Sequence, residues 1–95
     1  MYYIYPIKNG NPVKDPIAKA PTDVKARRVC VKLLGFNDYP SGLWAEDKAT
    51  HKFFMVEHFG KGKYLYLNND SVEKRLDAKG NVMKEKKGWW KPFGL

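Results

Sequence analysis

Pro21-Thr22-Asp23-Val24-Lys25-Ala26-Arg27-Arg28-Val29-Cys30-Val31-Lys32-Leu33-Leu34-Gly35-Phe36 is the stretch on which the reading of this chain turns. Ala26, Val29, Cys30, Leu33 and Leu34 recur at helical spacing, so an α-helix gathers them into one apolar stripe. The ends agree with a helix. Thr22 can accept a hydrogen bond from a free N–H of the first turn, and Asp23 suits the positive end of the dipole. Gly35 can take the left-handed conformation that closes a helix, with Phe36 folding back on the last turn. Lys25, Arg28 and Lys32 then share the opposite face. Val29, Val31 and Leu33 also alternate as in a strand over residues 28–34, and Val24 and Val31 lie off the stripe; the matched caps decide for the helix.

Working outward, residues 2–7 are aromatic and β-branched, which suits a strand, and Pro6 argues for an edge position or a strand end. Residues 8–12 have turn chemistry, and residues 13–21 read as an extended surface connector to the helix. After a second loop at residues 37–42, residues 43–67 read as a β-meander. Leu43-Trp44-Ala45-Glu46 is one strand, and residues 51–59 and 63–67 flank the glycine connection Gly60-Lys61-Gly62. A helix over residues 43–59 competes, because Ala45, Ala49, Phe53 and Val56 are also helically spaced. Residues 71–83 fit either a hairpin about Ala78-Lys79-Gly80-Asn81 or a short helix capped by Asp70 and Glu73. The expected architecture is a single α+β domain over residues 1–95, with one helix packed on a small antiparallel sheet.

The composition bounds the function. Eighteen Lys and Arg against ten Asp and Glu leave a formal charge of +8 on 95 residues, which favours an anionic partner. Three Trp, six Tyr and five Phe are more aromatic surface than a disordered chain carries. No segment is long and apolar enough to insert in a membrane, and the N-terminal residues lack the pattern of a signal peptide. Cys30 is the single cysteine, so no internal disulfide forms, and its place on the apolar stripe marks it as a buried hydrophobe. These features suit a cytoplasmic setting.

Motifs for catalysis are sparse. His51 and His58 lack HxH or HExxH spacing, and on one strand they fall on opposite faces, so no metal site is expected. A nuclease would have to gather Asp47, Glu57 and His51 in space without a spacing motif. Gly60-Lys61-Gly62-Lys63 lacks the spacing of a phosphate-cradling loop, and Ser41 and Ser71 have no nucleophile-elbow context. No cofactor is expected.

The stronger signal is interleaving of basic and aromatic residues. Lys61, Lys63, Tyr64 and Tyr66 in one hairpin would combine phosphate contacts with rings for base stacking, Tyr64 and Tyr66 sharing one face. Lys84, Lys86, Lys87, Trp89, Trp90 and Lys91 repeat the combination near the C-terminus, and Lys25, Arg28 and Lys32 add a basic helix face. The expectation is a non-enzymatic module that binds nucleic acid, DNA or RNA, through these residues. The alternative partner is an acidic protein surface, met by a small inhibitor or adaptor of the kind found in viruses and other mobile elements, with Trp89, Trp90 or Tyr39 as anchor.

Overall fold

The computed structural model describes residues 1–36 and 38–83. Seven strands and one helix follow in the order β1 (Tyr2–Lys8), β2 (Asn11–Pro12), β3 (Ala18–Ala20), α1 (Asp23–Leu34), β4 (Leu43–Asp47), β5 (Lys52–Gly60), β6 (Lys63–Asn68) and β7 (Glu73–Leu76). All strand pairs are antiparallel, in the order β2-β1-β4-β5-β6-β7, with β3 on the same side of β1 as β2. The α+β architecture and the meander from β4 to β6 are therefore as expected, and β7 extends it by one strand. The helix alternative for residues 43–59 is not adopted.

The helix begins where its cap predicts. Thr22 is extended and its Oγ1 accepts the Lys25 N–H at 3.2 Å. Its end differs from expectation. Gly35 is right-handed at φ −63°, its N–H donating to the Val31 carbonyl, and Phe36 is 64% exposed instead of folding back. The helix ends through a tighter turn, with the Phe36 N–H on the Leu33 carbonyl at 3.1 Å. The buried stripe is also rotated from the expected one. Ala26, Cys30, Val31 and Leu34 are buried, whereas Val29 and Leu33 are half-buried at its margin.

Alternation along the strands divides the sheet into an inner face under α1 and an outer face. Inner residues Ile4, Ala20, Leu43, Ala45, Phe54, Val56, Tyr64, Tyr66 and Leu76 join the helix stripe in one core. Phe54 sits at its centre, its ring 5.7 Å from Tyr2 and 4.8 Å from Tyr66. Tyr5 is buried as well but stands outside this cluster, because it points to the outer face.

Pro6 does not mark an edge. β1 lies inside the sheet, between β4 on one side and β3 then β2 on the other, and Pro6 occupies the gap where β3 gives way to β2. The missing N–H falls where the ladder is interrupted, while the Pro6 carbonyl still accepts the Val13 N–H at 2.9 Å. The connector of residues 13–21 contributes β3 to the sheet. Residues 71–83 form the hairpin alternative: Leu76 bridges Val82, and the Asp77 carboxylate accepts the N–H groups of Lys79 and Asn81 across the turn. Gly80 closes this turn at φ +84° against the helix, where a Cβ would lie 2.9 Å from the Arg28 Cα, so only glycine fits.

Truncating the central ring tests this core. Phe54→Ala is expected to cost about 3–5 kcal/mol, read as a lower urea midpoint with an unchanged m value. Val24→Ala, on the exposed side of α1, is expected to stay within about 0.5 kcal/mol.

Candidate functional site

The end of the β5–β6 hairpin rises clear of the helix. Residues 57–63 are all exposed, in contrast to Phe54, Val56, Tyr64 and Tyr66 lower on the same strands. Gly62 turns the chain at φ +67°, and the pairing shifts between His58 and Gly60, a bulge that twists the arm. Lys61 and Lys63 lie at this tip. Phe59 is 48% exposed, and the Arg75 guanidinium from β7 lies over its ring at 4.4 Å. That contact sets a cation on one face of an aromatic ring that stays about half exposed.

The helix borders the arm. Gly35 adjoins the Tyr64 hydroxyl, and the Tyr64 ring lies 5.4 Å from that of His58 on the inner side of the arm. Lys25, Arg28 and Lys32 are exposed along α1, with Lys32 in its last turn, nearest the arm. Among the described residues the ion pairs are the Met1 amino group with Asp47 at 3.7 Å and Arg27 with Asp23 at 3.0 Å, so none of these three cations is neutralised by a carboxylate there. Glu57 and Glu73 alternate to the outer face, which Lys63 and Arg75 share, whereas Lys25, Arg28 and Lys32 lie on the helix over the inner one.

Tyr64 and Tyr66 do share a face, as their spacing requires, but it is the inner one. At 6% and 5% exposure their rings are core, so the expected base-stacking platform on these tyrosines is corrected. The cause is the register: Val56 opposite Tyr66 and His58 opposite Tyr64 put both tyrosines under α1. The Tyr66 hydroxyl donates to Asp23 Oδ2 at 3.2 Å. Burial first, and then the Asp23 charge, raise the Tyr66 pKa. Arg27 completes this corner from 5.7 Å over the Tyr66 ring. Its Nε is close to Asp23 but not aimed at it, leaving an electrostatic contact without an aligned hydrogen bond. A shallow cavity of about 240 Å³ opens beside the pair, lined in part by Tyr2, Lys52 and Asp70. Lys84, Lys86, Lys87, Trp89, Trp90 and Lys91 lie outside the described residues.

The carboxylates and histidines do not converge. Asp47 ends β4 beside the turn that holds His51 at φ +59°, and its carboxylate accepts the Ala49 N–H. Glu57 stands five residues along β5 from Lys52, the partner of Asp47, and on the opposite face, so roughly 17 Å separates the two along the strand. The nuclease constellation of Asp47, Glu57 and His51 is thereby corrected. Among the described residues, no three His, Cys, Asp or Glu side chains gather as metal ligands would, and no helix is long and apolar enough to cross a membrane.

No protein-family model matches the chain, and no curated protein or solved structure is significantly similar to it.

Sequence reasoning passed over Phe59 and Arg75. Phe59 stands immediately before the glycine connection, the position most exposed at the end of a long hairpin strand, and that placement was the available signal. Arg75 belongs to a segment whose strand character depends on pairing with β6, which no local pattern declares.

Cys30 is sealed in the core, and burial pushes its thiol up to about 12 from an ordinary 9.0. The folded state holds this proton more tightly than the unfolded chain. The contribution to stability is therefore complete below pH 9.0 and is lost as pH rises toward 12. Native protein at pH 8 is expected to resist a disulfide-exchange reagent such as DTNB, and to release one equivalent of thiolate only with unfolding in urea; rapid native reaction at that pH would contradict the burial.

Proposed function

We propose that the protein is a non-catalytic binding module that grips nucleic acid with the β5–β6 arm and the adjoining face of α1. The observation that carries this reading is the projecting arm itself, with Lys61 and Lys63 at its tip and Arg75 held over exposed Phe59. Lysines on a mobile stem neutralise phosphates one at a time, whereas a guanidinium stacked on a ring has its plane fixed and its donors directed outward. Phe59 supplies a face against which an unpaired base can stack, the part first assigned to Tyr64 and Tyr66. Arg28 and Lys32 extend the positive surface along the helix.

The expected mode is electrostatic and weakly sequence-selective. The arm is short, and the exposed cations of α1 and the arm are long side chains suited to phosphate contacts. Five cations, Lys61, Lys63, Arg75, Arg28 and Lys32, would release counterions, giving a slope of log affinity against log salt of about −4.

Electrophoretic shifts of mixed-sequence single-stranded and duplex DNA and RNA across a salt series test the reading. Full-length protein is expected to bind at low salt, and Lys61→Glu with Lys63→Glu to reduce affinity by about tenfold or more and flatten the slope by about 2. Phe59→Ala is expected to weaken single-stranded binding by about 1–3 kcal/mol and duplex binding less. Absence of binding at low salt removes the nucleic-acid reading; recovery of one acidic protein, lost in the same charge reversals, would put the adaptor in its place.

A further inference from the structure

We infer that the cavity beside the start of α1 is a binding site for a single guanine base, separate from the arm. It opens where β1 and β5 begin and β6 ends, at the far end of the sheet from the hairpin tip. Lys52 at its rim and Gly60 at the other end of β5 are about 27 Å apart along the strand. The cavity volume of about 240 Å³ falls below the roughly 300–1,000 Å³ of sites that take drug-sized ligands, and suits one planar ring system.

Its wall is aromatic. Tyr2, Phe54 and Tyr66 line it side by side, with the Phe54 ring 5.7 Å from that of Tyr2 and 4.8 Å from that of Tyr66. Phe54 and Tyr66 are sealed in the core, and half-buried Tyr2 is the ring that a flat ligand can reach. Because Tyr2 is already packed on Phe54, stacking against it demands little further ordering. Burial first, and then the charges of Asp23 and Asp47, raise the Tyr2 pKa, so its hydroxyl stays protonated and able to donate.

The rim supplies directed polar groups. Asp23 is taken, since its carboxylate accepts from the Tyr66 hydroxyl and holds Arg27. The Asp70 carboxylate is open: among the described residues it has neither a hydrogen-bond nor an ion-pair partner, although Lys52 lines the same cavity. Asn69 uses its side-chain oxygen on the Phe53 N–H at 3.2 Å, which leaves its NH2 group as a donor. The backbone beneath these groups is pinned, with the Asn69 N–H on the Phe53 carbonyl at 3.0 Å and the Asp70 N–H on Asn68 Oδ1 at 2.9 Å.

These groups specify the ligand. Lys52 and Asp70 carry opposite charges, so the rim as a whole selects neither an anion nor a cation. It selects a neutral planar molecule with donors and acceptors along one edge, as a nucleobase read by stacking and by its pairing edge. Guanine sets two donors side by side, N1–H and the N2 amino group, which meet both oxygens of one carboxylate, and its O6 acceptor lies next to them for Asn69 or Lys52. Adenine and cytosine place a ring acceptor beside their amino group, which a carboxylate repels, and uracil has one donor between two acceptors.

Titration of guanosine, inosine and adenosine into the full chain labelled with nitrogen-15 tests the site. Guanosine at millimolar concentration is expected to shift the amides of Phe53, Asn69 and Asp70. Inosine, which lacks the N2 amino group, and adenosine are each expected to bind about tenfold more weakly or worse. Asp70→Asn turns an NH2 group toward the donors of guanine and is expected to cost about tenfold in guanosine affinity with the fold retained. Lys61→Glu with Lys63→Glu is expected to leave guanosine binding unchanged, so this site and the arm stand or fall separately. A single-stranded oligonucleotide with one guanine among adenines that shifts the same amides and binds more tightly than guanosine assigns the base to nucleic acid; equal affinity assigns it to the nucleoside. Amides indifferent to guanosine, an equal response to adenosine, or guanosine affinity untouched by Asp70→Asn overturns the inference.

Discussion

One helix laid across one side of a twisted sheet is the constraint from which the rest of the molecule follows. Ala26, Cys30, Val31 and Leu34 can be removed from water only against the inner row of Ile4, Phe54, Val56, Tyr64, Tyr66 and Leu76, and each large side chain so buried contributes about 1.5–3 kcal/mol. The small Ala26 and Cys30 let the helix approach closely where Phe54 and the tyrosines are bulky. At the two ends the fit is fixed by polar and backbone contacts: Tyr66 with Asp23 at the start of α1, and Gly80 against Arg28 along its flank.

That arrangement sorts the surface chemistry. Twelve helical residues cannot shield seven strands on both sides, so the two faces of the sheet acquire different characters. Cations line the helix and the projecting hairpin, while the outer face collects aromatic and aliphatic side chains with Glu46, Glu57, Glu73, Lys63 and Arg75 among them. The strand period of two enforces the division: Lys74 turns inward over Tyr66 while its neighbours Glu73 and Arg75 turn outward.

The sequence made the framework legible because the framework is written in local chemistry. Thr22 and Asp23 start a helix whatever surrounds them, and Gly60-Lys61-Gly62 turns a chain between two β-prone runs. What escaped the reading depends on partners distant in sequence. The stripe of α1 is rotated so that Val31, apparently off it, meets the sheet. Alternation put Tyr64 and Tyr66 on the same side but carried no sign, and only the position of α1 decides which side is dry. Arg75 reaches Phe59 through a pairing, β6 with β7, that neither residue announces.

The pairing shift between His58 and Gly60 has a bearing on how such a chain can vary. No core side chain comes from residues 57–63, so changes of length there need not disturb the packing under α1. Insertions or deletions made in matched pairs, one residue on each strand, would lengthen or shorten the projection while every inward ring kept its seat. An unmatched change must instead be absorbed by the irregularity, which works as an expansion joint and keeps an altered tip from propagating a parity error down into Phe54 and Tyr66.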